Sequence, residues 1–324
     1  MTRCSITYDT VNDLEVVQVN TGALSLGLIP ELGGKISSLK DLRTGREWLW
    51  QNPRLEYKHV QYGDSYIAEA DTGGWDECFP TVAACYYPSS PWVGAALQDH
   101  GELWSQAAQL DITESQNQIT LRTRWQGIAL PYTFERSVTL TSASAHLLIE
   151  YQVVNQTDAP INFIWCAHPL LAIEPGMQLL LPHSARFNRS LTIPADLIAQ
   201  DGDLSYPSSM SVGTNEIDLT PLPDESAAIA FKLWSNPLSE GWAALRAGDG
   251  EFRMVWDANQ LPGVALWMNL GAWAGDDGHP HYNLGLEPCI GAQDSLEEAI
   301  TKHNLFGTLH PNSARTWQLE IQLT

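Results

Sequence analysis

The sequence predicts an all-β fold, a large antiparallel β-sandwich, on three observations. Apolar and polar residues alternate over long runs, turn residues punctuate those runs at short intervals, and helix signals are sparse. Composition agrees, since 13 Trp with abundant Val, Leu, Ile and Thr suit pleated, half-buried strands. Length alone would allow two domains. No linker, repeat or low-complexity tract divides residues 1–324, however, so one domain is expected.

Along the chain, Ile119, Leu121 and Trp125 alternate with Thr120, Arg122 and Arg124. From Tyr132 to Thr141 one parity reads Tyr132, Phe134, Arg136, Val138, Leu140, and the other is polar throughout. Leu147, Ile149, Tyr151 and Val153 then share a face opposite His146, Glu150 and Gln152. Turn residues follow at 155–160, at Glu174-Pro175-Gly176 and at Ala247-Gly248-Asp249-Gly250. Residues 194–228, rich in Pro, Ser and Asp, read as a long surface excursion. Asp294-Ser295-Leu296-Glu297 reads as a capping box opening a short helix to about Lys302. Trp317, Leu319, Ile321 and Leu323 close the chain against Gln318, Glu320 and Gln322. Half-polar strands at this spacing imply antiparallel sheets packed face to face.

A formal net charge of −21 with only 17 Lys+Arg argues against nucleic acid and anionic membranes, which need a basic stripe. It disfavours a polyanionic substrate and is compatible with a neutral small molecule. The five Cys form no CxxC pair, and no pair has zinc-ligand spacing, so neither a disulfide scaffold nor a metal site is expected. There is no Gly-rich phosphate loop and no GxSxG elbow. The N-terminus lacks an apolar signal-peptide region, and no run is long enough for a transmembrane helix. The expectation is a cytoplasmic protein without cofactor; oligomeric state is left open.

Three dipeptides carry candidate chemistry, each placed where a β-rich run is expected to break: His100-Gly101, His168-Pro169 and Glu287-Pro288. Two imidazoles and a carboxylate suffice to remove a proton from one oxygen while delivering a proton to another. His100 lies among acids that would raise its pKa, or is a lone surface histidine. His168 ends a strongly apolar run, as a catalytic group or as a core histidine with a hydrogen-bond partner. Glu287 stands in an otherwise uncharged stretch, where a buried carboxylate needs either a structural partner or a chemical task. Gly73-Gly74 precedes Trp75, Asp76 and Glu77, which either enter a pocket or form a turn and a solvated acidic pair. Trp75, Trp267 or Trp273 could stack on a sugar face or belong to the core.

The ordered set Gly-Gly-x-x-x-Cys-Phe-Pro (73–80), His-Gly (100–101), His-Pro (168–169) and Leu-Glu-Pro (286–288) resembles the aldose 1-epimerase, or galactose mutarotase-like, family. Leu28 to Leu39 is similar to its opening hairpin, and Leu261 to Asn269 to the Pro-Gly segment before its catalytic glutamate. The resemblance implies a mutarotase-type sandwich with its site in a cleft on the concave sheet. It implies Glu287 as base, His168 as acid and His100 beside the sugar ring, in an isomerase that interconverts the α and β anomers of an aldose. The unperturbed imidazole pKa of about 6.5 would keep part of His168 protonated near neutrality. Relatives often carry an arginine near the Gly-Gly pair, whereas this chain reads Glu69-Ala70-Asp71-Thr72. Asp76 and Glu77 are therefore expected to receive the hydroxyls of a neutral sugar. The alternatives are a hexose-6-phosphate 1-epimerase, for which Lys232 and Arg54 are isolated phosphate ligands, and a non-catalytic carbohydrate-binding protein.

Overall fold

Strands with a clean apolar/polar alternation assemble into one sheet, and strands without it into another. The computed structural model describes residues 3–195, 197, 204–206, 209–212, 215–276 and 278–324. Among these, Tyr132–Thr141, His146–Asn155, Gln118–Gln126 and Ser313–Leu323 are the central strands of an eight-stranded antiparallel sheet. Their apolar parities turn inward, with Leu121, Phe134, Val138, Ile149, Val153 and Leu319 fully buried, while the polar parities keep partial contact with water.

The facing sheet has ten strands, in the order Ser5–Val11, Leu14–Asn20, Leu24–Ile29, Lys35–Asp41, Trp75–Cys78, Trp165–Ala172, Tyr282–Ile290, Gly263–Leu270, Ile229–Ser235 and Phe187–Ile193. Its central strands are buried on both faces, one by the other sheet and the other by loops and a cleft, so their sequences run apolar without a period. One continuous hydrophobic core joins the two sheets, and the all-β sandwich is the observed architecture.

Two details differ from the sequence reading. The short helix is capped by Ser295, which accepts from Glu298 N at 3.4 Å; it runs Leu296–Glu298 and continues as a wider turn over Ala299–His303. Asp294 is thereby left free of the capping role. Within 194–228, a hairpin of Ser209–Val212 with Asn215–Asp218 stands apart from the main sheets; residues 196, 198–203, 207–208 and 213–214 of that stretch lie outside the described residues. No described helix is long and apolar enough to cross a membrane.

Candidate active site

Backbone register sets the site. In the ten-stranded sheet Asp76 pairs with His168, while Cys166 pairs with Cys289 and Leu170 with Gly285. Counting between those two pairs puts His168 across from Glu287. Lys35 likewise falls opposite Asp76, because Ile36 pairs with Trp75. Lys35, Asp76, His168 and Glu287 thus form one polar row across four strands, on the face turned away from the other sheet. Regular pairing between Trp165–Ala172 and Tyr282–Ile290 lapses from residue 167 to 169. Pro169 and Pro288 have no N–H to give the ladder there. The sequence placed both dipeptides at strand ends; they lie inside strands instead, and the proline pair interrupts the ladder at His168 and Glu287.

His100 comes from a loop that glycine geometry holds in place. Gly101 has φ +73°, and a Cβ on it would sit 2.1 Å from Phe79 O. Glu102, buried, anchors the loop by accepting from Tyr132 Oη at 2.6 Å and Ala129 N at 2.9 Å. Gly73, at φ +78°, is required in the same way, since a Cβ would meet Trp50 O at 2.1 Å.

These elements surround a cleft of about 190 Å³ whose lining includes Tyr66, Asp99, His100, His168, Lys232, Trp267, Trp273, Asn283, Glu287 and Asp294. His168 Nε2 lies 3.7 Å from Glu287 Oε1, and the His100 and His168 rings meet edge-on at 5.1 Å. Glu287 Oε2 is 3.1 Å from Lys232 Nζ and accepts from Cys166 Sγ at 3.4 Å. Oε1 is buried and has no hydrogen-bond partner among the described residues. Burial works against the charge on Lys232, but Glu287 and then Asp294 more than offset it and raise its pKa.

Tyr66 starts a single wide helical turn, Tyr66–Ala70, and stacks on His100 at 3.9 Å while donating to Asp76 Oδ2 at 2.9 Å. His100 Nδ1 lies 2.9 Å from Asp99 Oδ2. Burial opposes ionisation of Asp99, but the neighbouring His100 outweighs it and brings the carboxyl below its usual range. His168 moves the other way. Burial first, then His100, Lys232 and Lys35, push its pKa well below the ordinary imidazole value. Partial protonation near neutrality, expected from the sequence, is corrected by this burial.

Of the residues singled out in the sequence, Glu287, His168, His100, Lys232, Trp267 and Trp273 all line the cleft. Trp75, Asp76 and Glu77 do not, which corrects their expected role as sugar ligands. Alternation along Trp75–Cys78 sends neighbours to opposite faces. Trp75 is fully buried in the core, and Glu77 points between the sheets to Arg136 at 3.1 Å and Tyr151 at 3.0 Å. Asp76 faces the cleft side but is bonded to Lys35 and Tyr66. Sequence reasoning missed Tyr66, Asn283 and the cleft-facing role of Asp294, whereas Asp99 is one of the acids expected beside His100. Asn283 alone carried a signal, being four residues from Glu287 on the same strand face.

No protein-family model matches the sequence, and no curated protein sequence matches it. Solved structures do. A candidate aldose 1-epimerase from Klebsiella pneumoniae aligns over 99% of this chain and 83% of its own, with TM-score 0.70 and 15% identity. A galactose mutarotase-like protein from Lactobacillus casei aligns over 95% and 100%, with TM-score 0.63 and 14% identity. One from Clostridium acetobutylicum aligns over 99% of both chains, with TM-score 0.62 and 13% identity. This chain has the galactose mutarotase-like fold, as its motifs implied.

Proposed function

We propose that the protein is an aldose 1-epimerase that interconverts the α and β anomers of a neutral aldose by acid/base ring opening. The observation that carries this reading is the approach of His168 Nε2 to Glu287 Oε1, 3.7 Å, at the floor of a cleft that His100 also enters. Glu287 Oε1 takes the proton of the anomeric hydroxyl, and His168 delivers one to the ring oxygen. Both oxygens sit on one carbon, so two groups this close can serve them together. Rotation about the adjoining bond and closure with the roles reversed give the other anomer. The aromatic pair Trp267 and Trp273, 5.8 Å apart and perpendicular, offers apolar wall to the sugar. Against a phosphosugar stands the composition of the lining. Its one lysine, Lys232, is already bound to Glu287 and Asp294, and Asp71 and Asp99 add like charge to a phosphate.

The test is anomer exchange read by saturation-transfer NMR across neutral, acidic and phosphorylated aldoses. Glu287→Gln is nearly isosteric but cannot accept the proton. Its expected effect is a loss of about 100-fold or more with the fold retained, in line with the contribution of one general base. A variant within about threefold of the parent removes the base assignment. Exchange confined to a phosphorylated aldose removes the neutral-sugar assignment.

A further inference from the structure

Two asparagines face each other on neighbouring strands beside the cleft, Asn269 and Asn283. Asn269 is fully used. Its side chain accepts from Ala272 N and Trp273 N, both at 3.2 Å, and donates to Trp273 O at 2.9 Å, which fixes the loop that carries Trp273. Asn283 has no such task. It is 1% exposed and lines the cleft, yet among the described residues neither its amide nitrogen nor its oxygen has a hydrogen-bond partner. A side-chain amide brings two donors and an acceptor, and native proteins rarely bury all of them unmatched. A group with that need, turned to a cleft, calls for a ligand that both donates and accepts. A sugar hydroxyl does both.

The strand fixes where that hydroxyl must be. Glu287, Gly285 and Asn283 follow one another on the same face, so Glu287 and Asn283 are about 13 Å apart along the backbone. Gly285 makes room between them for the Glu287 carboxylate: a Cβ there would stand 2.5 Å from Glu287 Oε1 and 3.0 Å from Trp267 Cβ. Trp267 pairs with Gly285 in register and walls the same space. Glu287 Oε1 leans back over Gly285 and so stands about 7 Å along the strand from Asn283, a separation that two oxygens of one pyranose ring bridge from above the floor.

We infer that Asn283 binds a sugar hydroxyl away from the anomeric one, and that it selects substrates by the presence of that hydroxyl. The orientation rests on the anomer-exchange reading, because Glu287 defines the anomeric end. Asn283 is assigned to recognition, with the proton transfers left to Glu287 and His168.

Binding of D-glucose, D-galactose, their 4-deoxy and 6-deoxy analogues and D-xylose is measured by calorimetry on the wild type, Asn283→Ala and Asn283→Leu, alongside exchange rates at saturation. In the wild type, at least one hexose is expected to bind about tenfold or more tightly than its analogue lacking one distal hydroxyl, the usual size of one hydrogen bond. Both variants are expected to lose that discrimination, with a larger effect on KM than on saturated exchange. Asn283→Leu keeps the branched heavy-atom skeleton and removes the unmatched groups at the edge of the cleft, so its Tm is expected to hold or rise. Unchanged hexose binding in the variants, or an equal loss for hexose and deoxy analogue, overturns the assignment. So does a fall in Tm with unaltered binding, which marks the amide as structural. Discrimination without any anomer exchange would remove the epimerase reading and leave Asn283 as a sugar ligand. Exchange without discrimination would remove Asn283 alone, and no binding of any of these sugars would remove both.

Discussion

His168 is 6% exposed and is ringed by Lys35, Lys232 and His100, so its imidazolium form is disfavoured before substrate enters. If His168 is the group that protonates the ring oxygen, this has a direct consequence for pH. The competent form carries the proton, and its population falls as pH rises through a pKa below the ordinary value of about 6.5. The expected kcat/KM therefore climbs as pH is lowered from 8 towards 6, by up to about tenfold per unit. Saturation-transfer rates between pH 5 and 8 measure this profile. A flat profile from 6 to 8 would remove His168 as the proton donor.

The strand Tyr282–Ile290 supplies Glu287, Gly285 and Asn283 from one face, so a single substitution tests how tightly it positions its carboxylate. Gly285→Ala is expected to displace Glu287 Oε1, which lies 2.5 Å from the added Cβ, and to lower exchange by about 100-fold, as a misplacement of about 1 Å in the reacting groups does. Its Tm should shift little, since the moved group borders an open cleft; wild-type exchange in this variant would mean that the carboxylate adapts freely. The same strand shows what was legible in the sequence. Tyr132–Thr141 and Ser313–Leu323 were readable because one face meets water and the other the core, which writes alternation into the residues. Trp165–Ala172 and Tyr282–Ile290 are covered on both faces, so His168 and Glu287 stand out as lone polar groups in apolar runs, but the runs give no period that would place them inside strands. Tyr66 comes from a single helical turn, too short for a period to reveal it. Trp75, Asp76 and Glu77 were grouped because they adjoin in sequence, yet in a strand adjacency means opposite faces.

At the scale of the whole molecule, the same alternation gives Glu77 a different purpose. Arg136 occupies an otherwise apolar parity of the facing sheet, 1% exposed, and its Nη1 donates to Glu77 Oε1 across the core at 3.1 Å. Tyr151 and Trp165 donate to the same carboxylate at 3.0 Å each, so one acid from the cleft-bearing sheet gathers donors from both layers. Burial pushes the Glu77 carboxyl up to about 7, against the pull of Arg136, Tyr151 and Trp165. A pKa raised on folding means that the native state holds the proton more tightly than the unfolded chain. The Glu77 contribution to stability is therefore full below about 4.5 and is lost as pH rises towards 7. His168, depressed on folding, acts oppositely: its contribution declines as pH falls below about 6.5. Between these values the two slopes partly cancel. Glu77→Gln is expected to remove one of them, so that stability rises with pH more steeply in the variant than in the parent, as measured by urea unfolding at pH 5, 6 and 7. Glu77→Leu goes further by stranding the Arg136 cation in the core, with an expected cost of about 3–5 kcal/mol. Adding Arg136→Met should recover most of that loss, because an apolar pair of similar volume needs no charge partner. A Glu77→Leu cost below about 1 kcal/mol, or no recovery in the double variant, would show that the two sheets are held by their apolar faces alone.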